Sequence, residues 1–349
     1  MHLYIHIPFC ESKCFYCSFT SLKKKDYENA YLKAILKDIK HQINSYQISQ
    51  KSIKTIFIGG GTPSLMDIKF YENIFIVIKD FLDKNAEISI EANPNSSNFD
   101  WLKEIKNLGI NRISFGVQSF NEKKLNFLGR IHNQKSIFTS VDNANKVGFK
   151  NINIDLIYDT KLDNLKMLQY ELLNLRKLNI SHISAYNLTI EEKTKFAKKI
   201  HYKKNAPRLA KYFIEEICNI GFAQYEISNF GNVCFHNLAY WQGKNYIGCG
   251  LSAVGFLNNK RFYTKEKLKE YIQDPLYRKI EYLSDENLRL EHIFLGLRSC
   301  IGIDEKKLNL TEKEKAFFLY KKGKLAYKNG IFYNTNYLLS DELALYIST

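Results

Sequence analysis

The constraint that most limits how this chain can fold is a six-fold alternation of strand and helix patterns. Short apolar, strand-like runs occur at residues 3–7, 53–58, 88–91, 112–117, 152–157 and 182–188. Longer stretches of helical periodicity separate them, at 26–43, 68–81, 99–107, 122–129, 136–147 and 162–178. Alternating βα units imply a parallel sheet with helices packed outside it. Six units suffice for a partial (β/α)6 barrel of the TIM type, with right-handed crossovers. A doubly wound open sheet is the rival α/β architecture.

After about residue 206 the alternation stops. A helical run at 208–220 leads into 225–230 and then a segment rich in Gly, Asn and aromatics, to 256. Beyond 264 the pattern is helical again and ends in an apolar hairpin, expected at 331–339. The chain therefore divides into a core barrel at 1–205, an extension at 206–263 that closes the barrel, and a smaller, mainly helical, winged-helix-like unit at 264–349. No internal repeat and no low-complexity linker interrupts it.

In a parallel βα barrel, reactive groups sit on the loops that follow the C-terminal ends of the strands. The motifs of this chain fall there. After the first strand come Cys10, Cys14 and Cys17, spaced C-x-x-x-C-x-x-C. Three thiolates so close in one loop can converge on a single metal centre. A structural zinc site wants four ligands, and the next cysteine is Cys218. Three sulfurs suit a cubane iron–sulfur cluster with one iron open to a small molecule.

After the second strand stands Gly59-Gly60-Gly61-Thr62-Pro63-Ser64. Consecutive glycines let the main chain approach a ligand closely, but they lack the GK[ST] of a phosphate loop. After the third comes Glu91-Ala92-Asn93-Pro94, where a carboxylate can hold an ammonium group. After the fourth come Gln118, a donor and an acceptor, and Arg130, a fork for a carboxylate. After the fifth, Asp155 can accept from ribose hydroxyls. Singly, such residues are most often caps or turns; together they ring one centre.

Composition narrows the setting. With 45% hydrophobic and 25% charged residues, the 349-residue chain is an ordinary globular protein. It has no apolar run of 18 residues and no signal-peptide pattern at its start, so a cytoplasmic location is expected. There, seven cysteines mean metal ligands or buried thiols rather than disulfides. The net charge of +15 hints at nucleic acid, but only 8 of 51 basic residues are arginine and the lysines are scattered. A solvated surface explains them, with no nucleic-acid partner. Weak peripheral contact with an anionic membrane, or with an acidic partner, stays open.

These motifs resemble those of radical S-adenosylmethionine (SAM) proteins of the oxygen-independent coproporphyrinogen oxidase superfamily, and within it the haem-chaperone type. The resemblance rests on Tyr4-Ile5-His6-Ile7-Pro8-Phe9-Cys10 with the triad, on the glycine run, and on Glu91-Ala92-Asn93-Pro94 and Gly116-Val117-Gln118-Ser119-Phe120. It continues through Asn153-Ile154-Asp155-Leu156-Ile157-Tyr158, His182-Ile183-Ser184-Ala185-Tyr186, His236-Asn237-Leu238-Ala239-Tyr240-Trp241 and Leu295-Gly296-Leu297-Arg298.

The resemblance implies a 4Fe–4S cluster on Cys10, Cys14 and Cys17, with SAM chelating the open iron. One electron could then cleave SAM to a 5′-deoxyadenosyl radical, the cofactor carrying the hard chemistry. Tyr4, Tyr16, Gly60, Gly61, Thr62, Glu91, Gln118, Arg130 and Asp155 would contact cluster or SAM. An electron donor is implied as well.

Oxidases of the superfamily carry a further cysteine where this chain has Phe19, and an extended segment before the first strand. Both differences favour a chaperone that binds haem and passes it to an acceptor protein. Decarboxylation of coproporphyrinogen III is the alternative. His236, Cys234, Tyr240 and Trp241 are then haem candidates, by ligation or stacking. A packed loop with His236 hydrogen-bonded inside accounts for the same segment equally well. Two loops depart from the family pattern, at Tyr158-Asp159-Thr160-Lys161 and Glu191-Glu192-Lys193-Thr194. A homodimer stays open.

Overall fold

In a computed structural model, which describes residues 1–23 and 26–349, six parallel strands pair in chain order: β1 (His2–Ile7), β2 (Ile53–Gly60), β3 (Leu82–Ala92), β4 (Arg112–Gln118), β5 (Asn151–Tyr158) and β6 (His182–Asn187). Strand order without reversal is that of a barrel wall, and it rules out the doubly wound alternative. The wall does not close. β7 (Asn229–Gly231) pairs antiparallel with the free edge of β6. On the other flank β8 (Tyr246–Cys249) runs parallel to β1. The antiparallel strands β9 (Val254–Leu257), β10 (Lys260–Tyr263) and β11 (Lys279–Tyr282) extend the sheet to eleven.

Alternation along each strand divides its side chains between two faces. Leu3, Ile5, Ile7, Ile56, Ile58, Ile88, Ile90, Ile113 and Phe115 lie in one apolar core with the helices. These are α1 (Glu28–Ser45), α2 (Ile68–Ile78), α3 (Phe99–Asn107), α4 (Glu122–Leu128), α5 (Gln134–Val147), α6 (Leu165–Leu175) and α7 (Pro207–Asn219). Four of these helices start on an asparagine whose side chain accepts an orphan backbone N–H: Asn98, Asn121, Asn133 and Asn164. The opposite, inner face is polar and carries His2, Thr55, Glu91, Arg112, Ser114, Asn153, Asp155 and His182.

The segment expected to close the barrel forms α8 (Phe235–Trp241). Residues 264–282, grouped by sequence with the C-terminal unit, run along the main sheet instead. α9 (Leu268–Gln273) contributes Tyr271 to the main core, and β11 pairs with β10. Buried Asp38 of α1 ties this flank down by accepting from Arg278 Nη2, from the Tyr271 hydroxyl (2.9 Å) and from Gly250 N (3.1 Å).

A second core, from Ile293 to Ile347, belongs to α10 (Asp285–Leu297), α11 (Leu310–Lys321), α12 (Ser340–Ser348) and a small three-stranded sheet. That sheet comprises β12 (Ile303–Asp304), β13 (Leu325–Lys328) and β14 (Ile331–Asn334). The hairpin is β13–β14, earlier than the expected 331–339, because Asn329-Gly330 makes the turn with both residues at positive φ. No helix among the described residues is long and apolar enough to cross a membrane.

Candidate functional site

At the C-terminal ends of β1–β6 the loops surround a cavity of about 410 Å³. Cys10, Cys14 and Cys17 line it together with Tyr16, Gly60, Gly61, Thr62, Glu91, Gln118, Arg130 and Asp155. Five loops far apart in sequence thus converge on one space. Tyr4 is the exception. It sits one step down β1 from the rim, its hydroxyl 2.9 Å from His6 Nδ1 and its ring stacked on Phe57.

The cysteine loop is held from two sides. Phe15 N donates to Leu128 O at 3.0 Å, and Phe15 O accepts from Phe196 N at 3.1 Å. The Phe15 ring lies over Gly129, where a Cβ would come within 2.6 Å of it. Gly129 also ends α4 at φ +75°, a conformation that suits glycine. Phe15 and Tyr16 pack on a small apolar cluster of Leu128, Ile157, Leu188 and Phe196. The cysteines therefore stand on a packed base and face the cavity, half-buried.

The glycine run serves close approach. A Cβ on Gly61 would lie 2.7 Å from Phe9 O and 2.9 Å from Ile7 O. Gly60 has φ +116°, and a Cβ there would strike the His6 ring at 2.4 Å. Gly60 N donates to Glu91 Oε2 at 3.0 Å, and Thr62 Oγ1 to Cys10 Sγ at 3.5 Å. In β4 the ladder to β5 slips between Phe115 and Gln118, and Gln118 has φ +66°. This bulge re-aims Gln118 into the cavity.

Glu91, Arg130 and Asp155 are half-buried in the cavity wall, while Glu11, Lys13 and Glu191 stand exposed at its rim. Burial first, then the neighbouring Asp155 carboxyl, pushes Glu91 up to about 7, against the Gly60 N–H. Burial also raises Asp155, although Asn153 Nδ2 donates to it at 2.8 Å and Ser114 Oγ at 3.4 Å. Arg130 donates to Cys14 Sγ (3.3 Å), Asn93 Oδ1 (3.3 Å) and Gly116 O (2.5 Å), and its buried Nε has no partner. Two half-buried carboxyls and one half-buried guanidinium complement a ligand that carries both an ammonium and a carboxylate.

The donor set fits a cluster held by thiolates. Among the described residues no histidine lines the cavity. Among the described residues no three His, Cys, Asp or Glu side chains converge on a single ion, whereas a cluster spreads its ligands over several metals. Burial raises the Cys10 and Cys17 thiols, and a bound cation would favour their thiolate form.

The haem candidates lie elsewhere and face different ways. His236 is fully buried, with Nδ1 2.7 Å from Thr55 Oγ1 and Nε2 2.8 Å from the Tyr240 hydroxyl. Both ring nitrogens are occupied, and burial, then His2, lowers it to about 3, so the ring is neutral. Cys234 is buried against Glu87, its Sγ 3.6 Å from Oε1. Thr55 and its ladder partner Glu87 lie well before the C-terminal tips of β2 and β3, away from the three cysteines. Neither His236 nor Cys234 is free to ligate iron in this conformation, which corrects that expectation. Tyr240 and Trp241 are half-buried and reach a separate groove.

Sequence reasoning passed over Asn93 and Tyr186 as site residues. Both line the cavity, and their positions at the tips of β3 and β6 were the available signal. It also passed over Asn153, which accepts from His182 Nδ1 at 2.6 Å and so links the Asp155 corner to the His182–Tyr225 pair (2.8 Å).

The geometry defines a half-open parallel βα barrel with a thiol-rich site at the strand tips. The family model of the radical SAM superfamily matches residues 4–169. The chain is 34% identical over 323 residues to the heme chaperone HemW of Bacillus subtilis, covering 87% of this chain and 85% of that one. It is 36% identical to the heme chaperone HemW of Escherichia coli, over 73% and 70%. In structure it matches the coproporphyrinogen III oxidase HemN of Escherichia coli, a radical SAM enzyme, with a TM-score of 0.82 at 21% identity, over 99% of this chain and 89% of that one. That likeness concerns the fold. The chain belongs to the radical SAM superfamily and, within it, to the HemW family.

Proposed function

We propose that this protein is a haem carrier built on a radical SAM core, which binds haem and delivers it to an acceptor protein. Cys10, Cys14 and Cys17 would hold a 4Fe–4S cluster. Glu91 would take the ammonium of SAM, Arg130 its carboxylate, and Asp155 its ribose hydroxyls, with Gly60, Gly61, Thr62, Gln118 and Tyr16 forming the walls. The cluster would supply a single electron, delivered by a donor protein; the chain's own groups bind, orient and exclude water. One observation carries the cofactor assignment: the three thiols and the half-buried acid–guanidinium set share one cavity. The haem assignment rests on relatives that match most of the chain and are heme chaperones.

The fold also suits an oxidase. Against that reading, Phe19 stands at the cavity rim, 66% exposed, where the oxidase resemblance calls for another cysteine. The deciding experiment is anaerobic reconstitution followed by haem titration and a coproporphyrinogen III turnover assay on one sample. Haem binding without turnover is expected. Turnover at enzyme-like rates, about 1 s⁻¹ or more, would replace the carrier by the oxidase. Cys14→Ala should abolish the cluster absorbance, and a surviving signal would refute the ligand assignment.

A further inference from the structure

The two loops that depart from the family pattern act together in the structure. Asp159 and Lys161 of the first dock the far end of a segment that the second begins. Lys161 N donates to Tyr202 O at 2.7 Å, Lys204 N to Asp159 O at 2.8 Å and Ala206 N to Asp159 Oδ1 at 2.9 Å. Thr194 Oγ1 donates to Glu191 O at 2.7 Å and turns the chain away from the cavity rim.

Between these anchors the chain is densely basic. Lys193, Lys195, Lys198, Lys199, Lys203 and Lys204 make six of the twelve residues 193–204, with no carboxylate before Glu215. All but Lys203 are exposed, as is Lys161. Glu191, at the cavity rim, and Glu192 border the run. The scatter of lysines over the whole chain hides this local concentration.

A packed floor holds the segment in place. Phe127, Phe196 and Tyr202 form a triangle with ring centres 5.0 or 5.1 Å apart. Lys161 Nζ lies 4.0 Å from the centre of the Tyr202 ring, and Lys195 Nζ 4.4 Å from that of Phe15. Lysine stems can pack this way while their charged heads stay in water. Phe15 directly follows Cys14, and its carbonyl accepts from Phe196 N at 3.1 Å. The basic segment therefore stands one hydrogen bond from the thiol loop.

We infer that this lysine-rich face is the docking surface for an acidic electron-donor protein, beside the loop that would hold the cluster. This deepens the radical SAM reading proposed above and rests on it. One electron would pass from the donor, oxidised by one electron, to the cluster, reduced by one; no bond or proton moves. Encounters between redox proteins are small and transient, and a field of one sign speeds association by about 10–10³-fold. An anionic membrane fits the face less well. Its one helical turn, Ile200–Tyr202, presents a single exposed apolar side chain, Ile200, and no apolar stripe. Nucleic acid fits less well too, because Phe196 is buried in the floor, where no base can stack on it.

The test uses plant-type ferredoxin, an acidic one-electron carrier, against anaerobically reconstituted protein. Calorimetry reads binding of the oxidised form, and cluster absorbance reads the rate of reduction by the reduced form. The triple variant Lys193→Glu, Lys198→Glu, Lys204→Glu should weaken binding and slow reduction at least about tenfold at low salt. In about 1 M salt, where the Debye length is about 3 Å, the difference should largely vanish. Lys33→Glu, Lys37→Glu, Lys40→Glu changes net charge equally on the exposed face of α1 and should behave as wild type. Dithionite should reduce all three clusters at one rate. Where the reversal lowers cluster yield, Lys193→Gln, Lys198→Gln, Lys204→Gln carries the same prediction. Equal binding and reduction in wild type and the first variant would overturn the surface, as would equal losses in both variants. A loss seen only with phosphatidylglycerol vesicles would also overturn it and make the face a lipid contact. A wild-type cluster that dithionite cannot reduce would remove the radical SAM reading, and the surface with it.

Discussion

Arg130 reaches across 116 residues of sequence to place its Nη1 3.3 Å from the sulfur of Cys14. The same guanidinium fastens the β3 tip through Asn93 and the β4 bulge through Gly116 O. One side chain therefore couples the thiol loop to two walls of the cavity, and its remaining Nε–H has no partner.

Arg130→Met should reduce SAM affinity by at least about tenfold, because a charge-assisted pair and two wall contacts go together. Arg130→Lys should restore little, since an ammonium cannot span three acceptors in fixed directions. Equilibrium dialysis of SAM against reconstituted protein checks both variants; unchanged binding in Arg130→Met would take the residue out of the SAM site.

Gly61→Ala puts a methyl against two backbone carbonyls that cannot swing away. The rim of β1 must shift, at an expected stability cost of about 1–3 kcal/mol. The denaturation midpoint should fall, and cluster yield with it. A wild-type midpoint would show that this rim yields freely.

His236→Ala leaves the Thr55 and Tyr240 hydroxyls without their shared partner and opens a hole behind α8. Thr55 keeps His2 Nδ1 at 2.8 Å, so a loss of about 2–4 kcal/mol is expected from the orphaned Tyr240 hydroxyl and the cavity. Cluster absorbance should survive, because the thiols lie at the C-terminal tips of the strands. A variant as stable as wild type would contradict the packing role.

Glu226 gives stability a defined pH dependence. Its carboxyl is raised in the fold from the usual 4.5 to about 7, by burial above all. The folded protein thus holds a proton that the unfolded chain releases. Its contribution is fully present below about pH 4.5 and is lost as pH rises through about 7. The buried His236, lowered to about 3, acts in the opposite sense: it favours the fold above pH 6.5 and is lost as the medium is acidified. Thermal melts of Glu226→Gln from pH 5 to 8 should slope less on the alkaline side than those of wild type. Parallel slopes would show that Glu226 titrates normally.

Much of the barrel can be read directly because its strands bury one apolar face. Ile88 and Ile90 alternate with Glu87, Ser89 and Glu91, and the asparagine caps mark helix starts. The cavity was legible for the same reason: strand tips are countable once the strands are found. β11 was not, since Lys279, Ile280 and Tyr282 are exposed on an edge strand and carry no buried face to betray it. Nor was the orientation of His236. A histidine between a cysteine and aromatics has the same spelling whether it faces ligand or wall, and only the pairing of Thr55 with His2 reveals which. The bulge at Gln118 depends on a backbone torsion that its residue type does not announce.

A closed barrel limits its guest to the bore between opposite strands, and that bore is set by strand number. Here the eleven strands end in two free margins, and the polar inner face runs out to one of them. Admission through the flank frees the guest's breadth from the width of the bore.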